Sequence, residues 1–401
     1  MIVLSISTAT GEIAHFIPEI TEALLALICH GILVSWHTQS KADNWLTRNR
    51  QLVRTLLFLS AVTSFLGPVM QLPVVWQFLP SNSISHWIRG GFMLWAMISV
   101  GTTLALALAR RAEKQAGCHA DFHPARRIFL RTAQTALIAA PSIATGFGVF
   151  IERRDLRLVT QDIKIPGLPK DLSGMIITQV SDIHLSAFLS EQELAYAIDM
   201  ANETKPHLMV VTGDLITRGG DPLDACIRQL GRLKADLGVY GCNGNHEIYA
   251  KCQGYVEAEC AKRGINMLRQ RTLTLTRGNA KINLAGVDYQ PSSKPPLVGA
   301  GLLVDPSANF NLLLSHNPAV FDEAARQGWD LTLAGHTHGG QVSVEILHQH
   351  MNIARFYTPY TYGLYEKENS RIFVTRGIGT VGLPARIGAP PEIAAIRLWS
   401  T

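Results

Sequence analysis

The chain has 401 residues, of which 47% are hydrophobic and only 17% are charged. This length exceeds one typical domain, and the balance is too apolar for an ordinary soluble enzyme, so we expect a membrane segment joined to a globular part. The net charge of +5 comes mostly from basic residues beside the apolar segments. Lys and Arg do not interleave densely with aromatic residues, so nucleic acid is not an expected partner. The six cysteines show no Cys-x-x-Cys pair; Cys252 and Cys260 could form a disulfide, but thiols are at least as good an interpretation.

Four apolar stretches predict a membrane domain over residues 1–151 with about four transmembrane helices. They cover residues 20–36, 55–79, 90–109 and 132–150. The first is the weakest, because Glu22 lies near its start and His30 lies inside it. Pro68 and Pro73 predict a kink in the second. The stretches are too many and too long for a removable signal peptide.

Basic residues between the apolar stretches predict the orientation. Those between the first and second stretches and between the third and fourth are Lys41, Arg48, Arg50, Arg54, Arg110, Arg111, Lys114, Arg126, Arg127 and Arg131. Short basic loops stay in the cytoplasm, so we expect a multi-pass protein of the inner (cytoplasmic) membrane whose C-terminal part lies on the outer, periplasmic face. Arg153, Arg154 and Arg157 favour the opposite side, but they precede a long domain, where the rule is weaker.

A second domain is predicted over residues 152–401. Alternating apolar residues indicate a strand near its start, at Leu156, Leu158, Ile163 and Ile165. Further strands are predicted at residues 175–180, 208–212, 239–242, 282–287, 311–314, 331–334 and 371–374, and helices at residues 191–203, 223–234 and 255–263. Short apolar strands with helices between them imply an α/β sandwich, in which ligands bind beyond the carboxyl ends of strands.

Five polar clusters directly follow five of these strands. They are Ser181-Asp182-Ile183-His184, Thr212-Gly213-Asp214, Cys242-Asn243-Gly244-Asn245-His246-Glu247, Ser315-His316-Asn317-Pro318 and Gly335-His336-Thr337-His338. Singly, each has an ordinary explanation: Asp182 can cap a helix, Asp214 can start a turn, and Asn245 can occupy a left-handed turn. Their recurrence at five strand ends of one α/β domain favours a single shared site.

The clusters supply carboxylate, carboxamide and imidazole groups and no thiolate. Such ligands suit Mn, Fe or Zn, and a carboxylate can bridge two ions. The two-residue step from His336 to His338, flanked by glycines, can aim both imidazoles at the same side. A pair of ions roughly 3.5–4 Å apart can hold a hydroxide and clamp a phosphoryl group for in-line attack. The expected chemistry is therefore hydrolysis of a phosphate ester or anhydride.

The motifs Asp-x-His, Gly-Asp, Gly-Asn-His-Glu, His and Gly-His-x-His, in this order, resemble those of the calcineurin-like metallophosphoesterase superfamily. The resemblance covers about residues 172–399, and the tail from Gly377 to Glu392 is similar to the bacterial branch with membrane-associated members. It implies a four-layer αββα sandwich that holds two divalent or transition metal ions. One ion would be bound by Asp182, His184, Asp214 and His338, and the other by Asp214, Asn245, His316 and His336. His246 would act on the phosphoryl group or the leaving oxygen, as electrostatic stabiliser or general acid.

The resemblance implies a membrane-anchored, metal-dependent phosphoric ester hydrolase that uses a metal-activated hydroxide. A phosphodiester or a lipid-linked phosphate would be its substrate, and the lipid bilayer its partner. A lipid-linked pyrophosphatase, such as one that hydrolyses a UDP-diacylglucosamine, is an alternative within the superfamily. A membrane sensor or scaffold with a structural metal site is an alternative of another class, although the intact Asn245 and His246 argue against it.

The sequence departs from the family pattern after the Gly-Asp motif. Many relatives carry a further Asp or Asn near Gly-Asp, whereas Leu215-Ile216-Thr217-Arg218 follows here. Arg218 either contacts phosphate or faces solvent.

Overall fold

The computed structural model describes residues 17–39, 48–72, 75, 82–116, 124–290, 297, 300–346 and 349–401. The chain forms two compact units, Met1–Phe147 with Gly382–Pro384 and Gly148–Val381 with Ala385–Thr401. This division lies inside the last long helix of the first unit, a few residues before the predicted domain limit. The limit after residue 151 therefore stays a prediction.

Long helices occupy the described residues of the first unit. They are α1 (Ile17–Gln39), α2 (Arg50–Val69), α3 (Ser83–Ala116) and α4 (Pro124–Phe150). Each predicted apolar stretch lies at least partly in one of them. Pro68 occupies the last turn of α2, which ends at Val69, so the predicted kink in this stretch stays a prediction. Pro73 and most of the predicted stretch beyond residue 72 lie outside the described residues.

Three helices in the described part of the chain are long and apolar enough to cross a bilayer, at Arg50–Val69, Ser83–Ala112 and Thr132–Arg154. The prediction of a helical segment of membrane-spanning character before the α/β domain is therefore confirmed. Helix α1 is not one of the three. A count of four crossings stays a prediction.

Polar contacts join the helices of the first unit. Nε2 of His30 lies 2.7 Å from Oγ of Ser60, and the indole N–H of Trp95 donates to the same oxygen at 2.9 Å. A Cβ at Gly67 would lie 2.8 Å from the backbone of Phe92, so glycine lets α2 and α3 approach closely. Small residues and hydrogen bonds are what hold helices together in lipid, where burial of apolar surface gives little driving force.

The second unit contains two mixed sheets, each with six strands, and strands are numbered in chain order. The first sheet has the spatial order β1 (Arg157–Ile165), β14 (Glu392–Ser400), β2 (Ile176–Val180), β3 (Leu208–Thr212), β4 (Val239–Cys242) and β5 (Ile265–Met267). The second has the order β12 (Gly363–Lys367), β13 (Ser370–Val374), β9 (Leu331–Ala334), β8 (Phe310–Ser315), β7 (Ala280–Val287) and β6 (Arg271–Arg277). A separate hairpin is formed by β10 (Ser343–Ile346) and β11 (Gln349–Asn352).

Helices cover the outer face of each sheet. They are α5 (Glu191–Glu203), α6 (Leu223–Leu230) and α8 (Gln253–Ala261) on the first sheet and α9 (Phe321–Gln327) on the second. The short helix α7 (Asn245–Tyr249) follows β4 closely in the chain. Strand β3 shows why the layers form. Leu208 and Val210 pack into the core between the sheets, whereas Met209 and Val211 pack against α5, α6 and α8. Because side chains alternate along a strand, a continuous apolar run is buried on both faces, which gives the predicted four-layer αββα sandwich.

Strand β14 is the main element that sequence reasoning did not identify. It pairs parallel with β1 and antiparallel with β2, so it joins the first strand of the unit to the strand that precedes Asp182. The possible disulfide between Cys252 and Cys260 does not form, and both residues are thiols. Cys260 is buried among apolar side chains under the first sheet.

Candidate metal centre

All the predicted metal-binding side chains lie at the carboxyl ends of β2, β3, β4, β8 and β9, where they converge on one site. Six of them are buried: Asp182, His184, Asp214, Asn245, His316 and His338. His336 is half-buried. The predicted clusters therefore converge as expected, while their roles as ligands remain a prediction.

Asp214 lies at the centre of this site. Its Oδ2 is 3.0 Å from Nε2 of His316 and 3.5 Å from Nε2 of His184. Its Oδ1 accepts the backbone N–H of His246 at 3.0 Å. One carboxylate thus faces imidazoles from two different clusters, as a bridging ligand must.

The donor atoms form overlapping groups, in each of which they lie within 4.8 Å of one another. The groups are Asp182 with His184 and His338, Asp214 with His316 and His336, and Asp214 with His184 and His246. In the first, the Nε2 atoms of His184 and His338 are 3.1 Å apart, and Nε2 of His338 is 3.4 Å from Oδ1 of Asp182. Two of these groups match the predicted metal pair, and the third places His246 beside them.

Two buried atoms test whether a metal pair fits. Oδ1 of Asn245 accepts no hydrogen bond from any residue that the structure describes. Nδ1 of His316 donates to the carbonyl oxygen of Thr212 at 2.6 Å, so in the neutral tautomer its Nε2 presents a lone pair to the centre. Buried polar atoms are costly unless they are partnered, and a cation satisfies both of these. The residues therefore fit two cations bound by oxygen and nitrogen.

The charges of the side chains at the centre also favour cations as ligands of this site. Burial lowers the pKa of His184 and of His336 to about 3, so both imidazoles are neutral and available as ligands. Burial would raise the pKa of Asp214, but the neighbouring His316 and His246 lower it well below its usual range. His316, which faces Asp214, has its pKa raised to about 10 despite burial. A cation that binds here would replace this proton, since metal binding and protonation compete for the same lone pair.

Backbone strain is concentrated at this site. The non-glycine residues with φ between 47° and 73° include Asp182, His184, Asp214, His336 and His338. Left-handed backbone at a non-glycine residue costs about 1–3 kcal/mol and clusters at functional sites, where the surrounding structure holds it. All five of these residues are among the predicted metal-binding residues.

Two glycines give the ligands room. A Cβ at Gly244 would lie 2.1 Å from Oδ1 of Asp214, and a Cβ at Gly335 would lie 2.2 Å from Oδ2 of Asp182. If any other residue replaced Gly244 or Gly335, its Cβ would overlap the neighbouring carboxylate, which would then have to move. The glycines of the motifs Gly-Asn-His-Glu and Gly-His-x-His are thus explained by close approach to the two aspartates.

Glu247 positions two of the loops, a role that sequence reasoning did not assign. Its buried carboxylate accepts the backbone N–H groups of Asp214 and Gly244 on Oε2, at 2.9 and 2.8 Å, and that of Leu215 on Oε1, at 2.8 Å. Burial and the charge of Asp214 raise the pKa of Glu247, while these hydrogen bonds oppose the rise. The carboxylate therefore clamps the loop after β3 to the loop after β4.

We expect Glu247→Gln to weaken the metal site although it keeps the shape of the side chain. The carboxamide has only one acceptor oxygen, so at least one of the three backbone N–H groups loses its acceptor and faces an NH₂ group. Leaving a buried donor without a partner costs about 1–3 kcal/mol. Thermal unfolding in detergent should shift downward and bound metal per chain should fall. Glu203→Gln, at the exposed end of α5, is the control and should change neither; an unchanged metal content in the Glu247 variant would contradict the clamp.

Arg386 is a second residue that lies outside the predicted site. Its guanidinium is fully buried and donates to the carbonyl oxygens of Gly379, Ala389 and Arg376, at 3.0, 2.9 and 2.8 Å. One of its nitrogens, Nη2, lies 3.4 Å from Nδ1 of His338. Burial lowers the pKa of Arg386 to about 10. This arginine ties the C-terminal loop to the His338 loop.

Two tyrosines form an aromatic wall beside the centre. The ring of Tyr289 lies 5.3 Å from that of His336, and the ring of Tyr249 lies 5.7 Å from that of His246. Burial raises the pKa of both tyrosines. Neither residue belongs to a recognisable motif, so no local signal marks them.

Arg218 is half-buried, and its backbone N–H donates to Asp221 at 2.9 Å. Burial lowers the pKa of its guanidinium, and the charge of Asp221 opposes the change. Arg218 is thus only partly exposed to solvent, and neither of the two alternatives for it is decided. A contact between Arg218 and phosphate stays a prediction.

Known proteins are similar to this chain in sequence. A sequence model of the family described as calcineurin-like phosphoesterase matches residues 175–340, a range that contains every predicted metal-binding residue and His246. The chain is 31% identical over 292 residues to YkuE of Bacillus subtilis (strain 168), an uncharacterized metallophosphoesterase, across 69% of this chain and 98% of that protein. It is 26% identical over 287 residues to Phosphodiesterase YaeI of Escherichia coli (strain K12), across 68% of this chain and 98% of that protein.

Another relative is named for both a transmembrane character and a metallophosphoesterase domain. The chain is 32% identical over 284 residues to the Transmembrane protein with metallophosphoesterase domain of Danio rerio, across 67% of this chain. The alignment spans 63% of that relative's length. With the α/β sandwich and the convergent donor groups, the match to nearly all of the Bacillus subtilis protein shows that this chain belongs to the calcineurin-like phosphoesterase family.

Proposed function

We propose that the protein is a membrane-anchored phosphoesterase that works with two metal ions of the Mn, Fe or Zn type. The observation that carries this proposal is the position of Asp214 between two donor groups made of oxygen and nitrogen ligands. Asp182, His184 and His338 would hold one ion, Asn245, His316 and His336 the other, and Asp214 both. When bound, such a pair neutralises a phosphoryl group and lowers the pKa of water.

His246 is the residue we assign to the phosphoryl group or the leaving oxygen. Its Nδ1 donates to the carbonyl oxygen of Thr217, which fixes the ring and leaves Nε2 directed to the centre, 3.9 Å from Oδ2 of Asp214. Its ring stands at 89° to that of His184, with 4.7 Å between centroids. A fixed imidazole at this place can stabilise charge or deliver a proton to a leaving alkoxide.

The natural substrate we propose is a phospholipid or another lipid-linked phosphate. The support comes from Arg386, whose backbone N–H donates to the carbonyl oxygen of Gly148 at 3.1 Å while its guanidinium reaches His338. Gly148 lies in Thr132–Arg154, one of the three helices of the described residues that are long and apolar enough to cross a bilayer. A single residue therefore connects the end of this helix to a metal-binding loop, which favours substrates held at the membrane surface.

The proposal is tested with full-length protein in nanodiscs, loaded separately with Mn, Fe and Zn. Metal-dependent hydrolysis of bis-p-nitrophenyl phosphate is expected, together with faster hydrolysis of a phospholipid than of any soluble nucleotide. Hydrolysis of a UDP-diacylglucosamine alone would favour the pyrophosphatase instead. Absence of turnover on every substrate by the metal-loaded protein would leave the sensor or scaffold as the better explanation.

We also expect the catalytic unit to face the periplasm. Fusions of alkaline phosphatase and of green fluorescent protein at Thr401, expressed in a bacterium, report the side directly. An active phosphatase fusion with a dark fluorescent fusion is expected, because the basic loops favour the cytoplasm. The reverse pattern would place the unit inside the cell and move the proposed substrate to the inner leaflet.

A further inference from the structure

We propose that residues 352–357, here called the aromatic loop, form a second contact with the membrane, on the surface of an anionic phospholipid bilayer. This inference rests on the proposed membrane anchoring but not on the proposed hydrolysis. The loop follows the β10–β11 hairpin and leads toward β12. It therefore belongs to the segment that lies between the Gly-His-x-His motif and the last strands.

The aromatic loop presents large side chains outward. Phe356 is 88% exposed and Tyr357 is 63% exposed, and Arg355 is exposed next to them. The turn is held in shape by Asn352, whose side chain accepts the backbone N–H of Arg355 at 3.2 Å. Two exposed aromatic rings beside a basic residue on a fixed turn are typical of segments that lie at the membrane–water interface.

Backbone hydrogen bonds connect the start of the β10–β11 hairpin, through residues 386 and 387, to Gly148 in the last turn of α4. Ser343, the first residue of β10, donates its N–H to the carbonyl oxygen of Ile387 at 2.7 Å. The preceding residue of Ile387 is Arg386, which bonds to Gly148. A Cβ at Gly148 would lie only 2.6 Å from the side chain of Ile387, so the two segments are in direct contact. The hairpin thus starts next to the final turn of α4.

The first residue of the aromatic loop, Asn352, lies close to the segment that precedes β10. A Cβ at Gly340 would lie 2.3 Å from Cβ of Asn352, so the loop begins against the segment that feeds β10. At the end of α4, Phe150 is 71% exposed and Ile151 is 57% exposed. The aromatic loop and the pair Phe150 and Ile151 both belong to the second unit, and both are connected to the segment around Ile387. The candidate membrane-spanning helix Thr132–Arg154 includes Phe150 and Ile151. Continuity with that helix is why we assign the bilayer as the partner.

A depth measurement tests this surface. Phe356→Cys, in the full-length protein, is labelled with an environment-sensitive fluorophore and reconstituted into nanodiscs of phosphatidylcholine and phosphatidylglycerol. Tyr255→Cys is the matched control: Tyr255 is an exposed aromatic residue on α8, which packs beside β5 at the edge of the first sheet opposite β1. The parent protein, labelled in parallel, gives the background from native thiols.

Lipids that carry a doxyl quencher should reduce the emission at position 356 several-fold more than at position 255, with a blue-shifted maximum in discs. Equal quenching at the two positions would overturn the proposal. Emission that responds to the number of chains per disc but not to the quencher would assign the surface to a second copy of the chain, which also overturns it. Because the readout needs no hydrolysis, it stands or falls separately from the proposed activity.

The double variant Phe356→Ser with Tyr357→Ser gives an independent check. If the proposed lipid hydrolysis holds, its rate on lipid in vesicles should fall several-fold relative to its rate on bis-p-nitrophenyl phosphate. The soluble substrate controls for folding and for metal loading. A proportional loss on both substrates would contradict a membrane role for these side chains.

Discussion

Asp214→Asn is expected to abolish metal-dependent turnover and to lower the bound metal. The substitution keeps the size of the side chain and one oxygen, but it removes the charge that faces both His316 and His184. A neutral amide is a weak bridge between two cations, so their mutual repulsion is no longer offset. Metal per chain, measured by mass spectrometry on protein in detergent, should fall together with the rate.

Asp236→Asn, at an exposed position before β4, is the matched control and should keep both metal and rate. Thermal unfolding of the Asp214 variant separates loss of the site from loss of the fold. A folded Asp214→Asn protein with two metals per chain and near-normal turnover would remove Asp214 from the bridging position. The donor groups would then have to be reassigned around Asp182.

His246→Ala is expected to keep both metals and to lose roughly 10²–10⁴ in rate, the usual range for a positioned proton-transfer group. The hydrogen bond from His246 to Asp214 is made by the backbone N–H of His246, so the substitution leaves that hydrogen bond in place. If the imidazole protonates the leaving oxygen, the loss should be smaller for p-nitrophenyl esters, whose leaving group needs no proton, than for alkyl esters. An equal loss on both would identify charge stabilisation as its role.

The geometry also allows a different outcome for His246. Nε2 belongs to a group with His184 and Asp214 in which the donor atoms are close enough to share an ion. Loss of one metal in His246→Ala would therefore place the residue among the ligands. Metal content measured on the same samples as the rate decides between the two roles.

The sequence alone determined the catalytic strands and the ends at which the polar clusters lie. The predicted limits at residues 208–212, 239–242 and 331–334 are those of β3, β4 and β9. Each is a short apolar run closed by a glycine within two residues, and such a pattern depends only on neighbours along the chain. The same local reasoning identified the α/β sandwich and, with the order of the motifs, the family.

The tertiary structure alone decided how distant segments meet. Strand β14 lies between β1 and β2, a pairing of residues more than two hundred positions apart that no local pattern specifies. The clamp made by Glu247 and the link made by Arg386 likewise depend on loops that come together only in the folded chain. Periodicity reports which face of a strand or helix is buried, but the partner across that face is set by packing of the whole unit. For this reason the sequence predicted the donor residues, and only the fold showed what holds them in place.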